Sequence, residues 1–306
     1  LSLNLSNFFT IFISIVLEAL PFIILGSFLS ALIQIFVSEE TIAKIVPKNK
    51  VLGCVIAAMT GLIFPVCECA IVPIARRLIK KGVPIGIATT FMISVPIVNP
   101  VVLLSTYYAF NYNINMVIIR GIGGFLGAVA VGILIEAFTC NGNIIKNNNV
   151  YTHDYDCSCG CNISYDNSKF AQILSHASRE LYDIGKLLIL GAGISAAFQI
   201  FIPRSFINTF GQDRIISVLI MMLFAFVISL CSEADAFIAA SFTNMFSLGA
   251  ISSFLILGPM IDIKNTLILS YSFKKSYIIK LLIFVFILCF IIGEIVNVLN
   301  GLGMIT

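Results

Sequence analysis

Tryptophan is absent from this 306-residue chain, histidine occurs twice, and charged side chains make up only 11% of it. A soluble domain carries about 25% charged residues. That shortage, beside 59% hydrophobic residues, excludes an ordinary soluble fold and leaves an all-α polytopic membrane protein. The chain has no G-x-x-x-x-G-K-[ST] phosphate loop, so it is not expected to hydrolyse ATP itself. No Ser/His pair at helical spacing and no recognised acid dyad argues for an intramembrane protease, and neither catalytic residues nor a cofactor are expected. A net charge of +3 is too small to suggest nucleic acid. Nine cysteines are an odd number, mostly inside apolar segments, which fits free thiols rather than a disulfide framework. No cleavable signal peptide is expected: residues 8–37 are too long for one and lack a basic flank. Without Trp, tyrosines must form the interfacial belt, with Tyr107, Tyr108 and Tyr112 at one edge and Tyr271 and Tyr277 at another.

A membrane span needs about 20 apolar residues. Residues 8–37 supply one, interrupted by Glu18 and Pro21; residues 51–75 follow, with Glu68 as their sole charge. The uncharged run 82–119 is long enough for two passes turning at Asn111-Tyr112-Asn113, the second continuing to about Ile135. Residues 139–175 form a polar linker, and apolar runs then cover roughly 181–203, 215–231, 236–261 and 277–299.

The two halves resemble each other. Glu18 to Gly26 aligns with Asp183 to Gly191, Gln34-Ile35-Phe36 with Gln199-Ile200-Phe201, Cys67-Glu68-Cys69-Ala70 with Cys231 to Ala234, and the stretch around Asn99 with that around Asp262. This order predicts a first repeat over 1–138, a cytosolic linker over 139–175 and a second repeat over 176–306. If 51–64 and 66–80 form a re-entrant hairpin, Lys44, Lys48, Lys50, Arg76, Arg77, Lys80 and Lys81 share one side of the membrane. Each repeat then has three spans plus a hairpin, an odd number, and the repeats are inverted. Eight spans with parallel repeats is the alternative. The excess of basic residues on one side favours the inverted arrangement.

The stretch Phe64-Pro65-Val66-Cys67-Glu68-Cys69-Ala70-Ile71-Val72-Pro73 concentrates the unusual chemistry. An ionisable residue at membrane depth is costly and marks a functional site by default. On a continuous helix Cys67 and Cys69 point about 200° apart; in a segment broken by flanking prolines they can converge. Thiolates select soft or borderline ions, so Cys67, Glu68, Cys69 and Cys231 are candidate substrate contacts, with Asn99 and Asp262 beside prolines as further lining. Glu233 and Asp235, two acids close together in an apolar run, suggest proton coupling or a cation site, as do Glu18 and Asp183. Asp183 has Lys186 one turn on as a partner, and Lys264 either pairs with Asp262 or snorkels to the surface. Cys157, Cys159 and Cys161, with His153 nearby, suit capture of a metal or metalloid on the linker, though their spacing is not that of a structural zinc site.

Phe64 to Pro73, followed by Arg76 to Pro84, Val95 to Pro100 and Ser229 to Phe237, resembles the predicted permease family that includes organoarsenical efflux permeases and proposed copper and zinc exporters. The resemblance runs through nearly the whole chain and implies a prokaryotic-type, multi-pass permease of the cell membrane with Cys67 and Cys69 in its path. Many relatives carry Cys-Ser-Cys where this chain has Cys67-Glu68-Cys69. The added carboxylate suits a divalent cation better than an arsenical, and members with this variant of the motif are candidates to work with a second membrane subunit. The expected function is a proton-coupled secondary permease exporting a thiophilic metalloid or metal, either a trivalent arsenical or a Zn or Cu ion. The rivals are a permease for a sulfur-containing small molecule or anion, and a membrane thiol oxidoreductase or redox sensor.

Overall fold

The computed structural model describes residues 2–36, 47, 49–63, 68–139, 144–145, 169–201, 213–243 and 245–303. All regular structure among them is helical, apart from an isolated bridge between Ile145 and Phe273. In chain order the helices are α1 (Ser2–Phe36), α2 (Lys50–Met59, extended by a 3-10 turn Thr60–Leu62), α3 (Glu68–Lys80), α4 (Ile85–Val98), α5 (Pro100–Ala109) and α6 (Ile114–Phe138). Then come α7 (Lys169–Phe201), α8 (Arg214–Ile228), α9 (Asp235–Ser241), α10 (Leu248–Met260), α11 (Ile263–Ser272) and α12 (Lys275–Gly301). Among the described residues, six stretches are long and apolar enough to cross a membrane: Ser6–Leu32, Ile85–Ala109, Ile114–Phe138, Leu181–Gln199, Leu248–Ser272 and Lys275–Gly301. The helices Lys50–Leu62 and Arg214–Ile228 are apolar but shorter.

Breaks within the apolar runs have local causes. Pro100 cannot donate to the turn before it, and Asn99 turns out of the helix to cap α5, its side chain accepting from Val101 N at 3.0 Å. Asp262 does the same for α11, accepting from Asn265 N. Ser229 ends α8 in the left-handed conformation at φ 52°. Gly82, at φ 92°, lets the chain turn from α3 into α4 within four residues.

Two sets of contacts fix which helix ends lie together. Lys50 at the start of α2 meets Glu136 near the end of α6 (2.6 Å), and Glu136 accepts from Gly86 N at the start of α4 (2.8 Å). Lys280 near the start of α12 donates to the carbonyl of Phe138 at the end of α6 (2.8 Å). At the other end of α12, about 21 Å away along its axis, Glu294 meets Arg214 of α8 (3.2 Å) and Asn297 accepts from Gly249 N of α10 (2.9 Å). Helices α2 and α4 run side by side in the same direction, since Gly53 sits against Ile87 and Gly61 against Val95 and Val98. α8 and α10 do likewise, through Ser217 against Ser247 (3.3 Å) and Ala225 near Gly258. α1 and α7 run antiparallel, with Phe12 beside Gly193 and Ala31 clustered with Ala177.

One packing device occurs twice. Gly86 and Thr90 of α4 lie directly against Gly132 and Glu136 of α6, and Gly249 and Ser253 of α10 against Gly293 and Asn297 of α12. In both pairs the missing side chains let backbones touch, as small residues do between membrane helices. Gly86, Thr90, Pro96 and Asn99 precede Gly249, Ser253, Pro259 and Asp262 by one constant spacing.

Candidate functional site

Glu68 opens α3. A carboxylate in the first turn is favoured by the helix dipole, but this one is fully buried and needs a counter-charge. It finds one in Lys264, whose Nζ lies 3.1 Å from Glu68 Oε1. Lys264 comes from the first turn of α11, in the other half of the chain. Its ammonium is also 3.8 Å from Oδ2 of Asp262, whose Oδ1 is occupied in capping the helix. Pairing with Asp262 is thus retained, whereas snorkelling to the surface is not: the Lys264 side chain is only 3% exposed. Its stem enters the protein because two buried carboxylates offer more than the bilayer surface does. The match remains incomplete. Among the described residues, Glu68 Oε2, Asp262 Oδ2 and Asn265 Oδ1 are buried without a hydrogen-bond partner.

Beside this lysine is a small cavity of about 20 Å³, enough for roughly one water-sized body, lined by Ile15, Glu18, Ala19, Cys69, Ser229, Leu230, Cys231 and Lys264. Cys69 comes from α3, Cys231 from the segment between α8 and α9, and both are free thiols. Glu18 reaches the same wall from α1. Pro73 sits inside α3 and does not end it, so Cys69 is on a helix. Cys67 lies outside the described residues.

A second buried ion pair crosses the halves in the opposite sense. Arg120, about two turns into α6, is completely buried. Its Nη2 lies 2.9 Å from both carboxylate oxygens of Asp235, at the start of α9, and 2.9 Å from the carbonyl of Ser232. Nη1 donates to Thr106 Oγ1 of α5 at 2.7 Å, leaving Nε as the one guanidinium nitrogen without a partner. Asp235 therefore has both oxygens engaged, while neighbouring Glu233 is half-buried and only weakly held by Ser232 Oγ at 3.4 Å. Sequence reasoning passed over Arg120. The available signal was a lone arginine within an apolar helix, which membrane energetics alone marks for a buried partner.

The remaining candidates lie elsewhere. Asp183 pairs with Lys186 at 2.9 Å, as its spacing suggested, and accepts from Tyr271 OH at 2.6 Å; the guanidinium of Arg76 lies 5.6 Å from that ring's centre. It occupies a different environment from Glu18, its counterpart in the first half. Asn99 is buried as the cap of α5 and is not part of the cavity wall. His153, Cys157, Cys159 and Cys161 lie outside the described residues. Among the described residues no three His, Cys, Asp or Glu side chains are grouped closely enough to hold a metal ion.

Helices broken at a buried, charged centre are the build of a membrane transporter, and similarity to known proteins agrees. The profile of a family described as "Predicted permease" matches residues 4–298. The chain belongs to this predicted permease family. The UPF0718 protein YcgR of Bacillus subtilis is 42% identical over 279 residues, covering 91% of this chain and 93% of that protein. A predicted subunit of a two-component membrane permease complex from Streptococcus mutans is 39% identical over 291 residues, covering 92% and 94%. The UPF0718 protein MJ0584 of Methanocaldococcus jannaschii is 26% identical over 117 residues, covering 35% and 32%. No solved structure matches the chain. With six apolar stretches of spanning length among its described residues, this predicted permease is a multi-pass protein of the cell membrane.

Proposed function

We propose that this permease is a secondary transporter exporting a thiophilic metal or metalloid, a trivalent arsenical or a Zn or Cu ion, by alternating access between two inverted halves. The observation that carries this reading is the cavity wall, where one thiol from each half, Cys69 and Cys231, meets the carboxylate of Glu18 and the Glu68–Lys264–Asp262 cluster. Thiolates favour soft ions over hard ones. The carboxylates of Glu18, Glu68 and Asp262 outnumber the single ammonium of Lys264, so a cation or a neutral electrophile suits the site better than an anion. That balance disfavours the rival reading of a permease for a sulfur-containing anion, which would need free helix N-termini: Glu68, Asp235 and Asp262 already occupy those of α3, α9 and α11.

Support for inverted halves comes from the helix ends. Lys50, Lys80 and Gly86 gather at the end of the molecule where α12 begins, so α2 and α3 enter and leave on one side. Arg214 and Gly249 gather where α12 finishes. In this reading the first side is cytosolic, because it collects Arg76, Arg77, Lys80, Lys81, Lys274 and Lys275. Glu18 is the proposed proton-exchanging group, since its carboxylate borders the cavity and forms no salt bridge among the described residues. We further propose a second membrane subunit, by similarity to the Streptococcus mutans relative named as part of a two-component complex.

The test is uptake of Zn(II), Cu(I) and a trivalent arsenical into everted vesicles, with and without an imposed proton gradient. Protein-dependent uptake of at least one, enhanced by the gradient, is the expected result. Absence of uptake for all three contradicts the proposal.

A further inference from the structure

The two ion pairs that join the halves are unlike in one respect. Asp235 is saturated: both of its oxygens meet Arg120, which is held in turn by Thr106 and the Ser232 carbonyl. Around Lys264 acceptors exceed donors. Its ammonium is 3.1 Å from Glu68 Oε1 and 3.8 Å from Asp262 Oδ2, and Glu68 Oε2 and Asp262 Oδ2 are buried without a hydrogen bond among the described residues. A buried acceptor left without a hydrogen bond is costly, so a site maintained in this state is built for more positive charge than one ammonium supplies. Lysine, a compact charge on a flexible four-carbon stem, can move where a locked guanidinium cannot. The cavity beside it, walled by Glu18, Cys69 and Cys231, gives it a place to move and gives a cargo a place to enter.

We propose that the Lys264 ammonium is a tethered stand-in for a cationic cargo, occupying the Glu68–Asp262 site when the carrier is empty and leaving it when the cargo binds. This deepens the reading above and rests on it. The arrangement answers a physical need. An empty carrier must return across the membrane, and two buried carboxylates without a cation between them would make that step costly. Lys264 neutralises them on the return and competes with the cargo on loading. Arg120–Asp235, by contrast, stays closed and keeps the Cys231 segment in place.

The test measures Zn(II) binding to the purified full-length protein in detergent by equilibrium dialysis, with phenylarsine oxide, a trivalent arsenical, as a second probe. Lys264→Gln removes the competing charge and is expected to lower the Zn(II) Kd by about tenfold or more. Lys264→Arg keeps the charge and is expected not to tighten binding. Should Lys264→Gln fail to fold, the comparison of Asp262→Asn with Asp262→Asn/Lys264→Gln carries the same test, the double variant binding Zn(II) more tightly. Unchanged or weaker Zn(II) binding once the ammonium is removed overturns the stand-in role. Binding of phenylarsine oxide with no Zn(II) binding to wild type or Lys264→Gln also overturns it, and leaves the thiophilic permease standing. Binding of neither probe to any of these proteins overturns both.

Discussion

At the scale of single residues, the two buried cations decide the architecture of the centre. Breaking a buried ion pair from one side leaves a charge without compensation and costs about 3–5 kcal/mol, whereas replacing both partners by apolar groups is often neutral. Arg120→Met is therefore expected to lower the thermal midpoint in detergent sharply, and Arg120→Met/Asp235→Leu to recover most of the loss. If the single variant melts like wild type, the clamp is not holding the halves together. Glu68, Cys69 and Asp262 were legible in the sequence because each is conspicuous locally, as a charge or thiol within an apolar run beside a proline. Arg120 carries no such local mark, and the sequence around Lys264 fits pairing and snorkelling equally. Their partners are 115 and 196 residues away, and nothing in the local pattern names them. The equivalence drawn between Glu18 and Asp183 from their alignment does not extend to their surroundings, since one borders the cavity and the other is bound to Lys186 and Tyr271.

At the scale of elements, the halves are held internally by glycine-mediated contact between α4 and α6 and between α10 and α12. A Cβ at Gly132 would run into Thr90 Oγ1 and the Gly86 carbonyl, and one at Gly293 into Ser253 Oγ and the Gly249 carbonyl. Gly132→Ala and Gly293→Ala are each expected to destabilise by about 1–3 kcal/mol through forced separation of the helices. Gly185 in α7 has nothing within 4 Å of its would-be Cβ, and Gly185→Ala is expected to be neutral or slightly stabilising. Melting the three proteins side by side checks the contrast; equal effects at all three positions would refute it. The breaks around Asn99 and Asp262 were readable as proline-flanked polar residues, though as lining rather than as the helix caps they form. The paired glycine contacts were not read. Gly86 and Gly132 lie in separate apolar runs, and only their packing shows that one answers the other.

At the scale of the whole molecule, the all-helical apolar build followed from hydropathy because a bilayer accepts only closed hydrogen-bonded backbone, but the run read over 236–261 is two helices, α9 and α10, and the spanning stretch there is Leu248–Ser272. Two of the apolar stretches, Lys50–Leu62 and Arg214–Ile228, are shorter than a span, and their length alone says nothing of the side from which they enter. The inverted arrangement predicts that cysteines placed singly at Lys50 and Lys81, in a cysteine-free background, react with an impermeant maleimide from the same face, and one at Arg214 from the opposite face. Labelling of positions 50 and 81 from opposite faces would instead support eight spans with parallel repeats. The proposed mechanism, however, requires one cargo to be gripped by both halves at once. It is tested most directly by cargo uptake into everted vesicles carrying wild type, Cys69→Ser or Cys231→Ser at matched expression. Each substitution alone is expected to reduce uptake by about tenfold or more; full uptake with either thiol removed would show that the two thiols do not grip the cargo together.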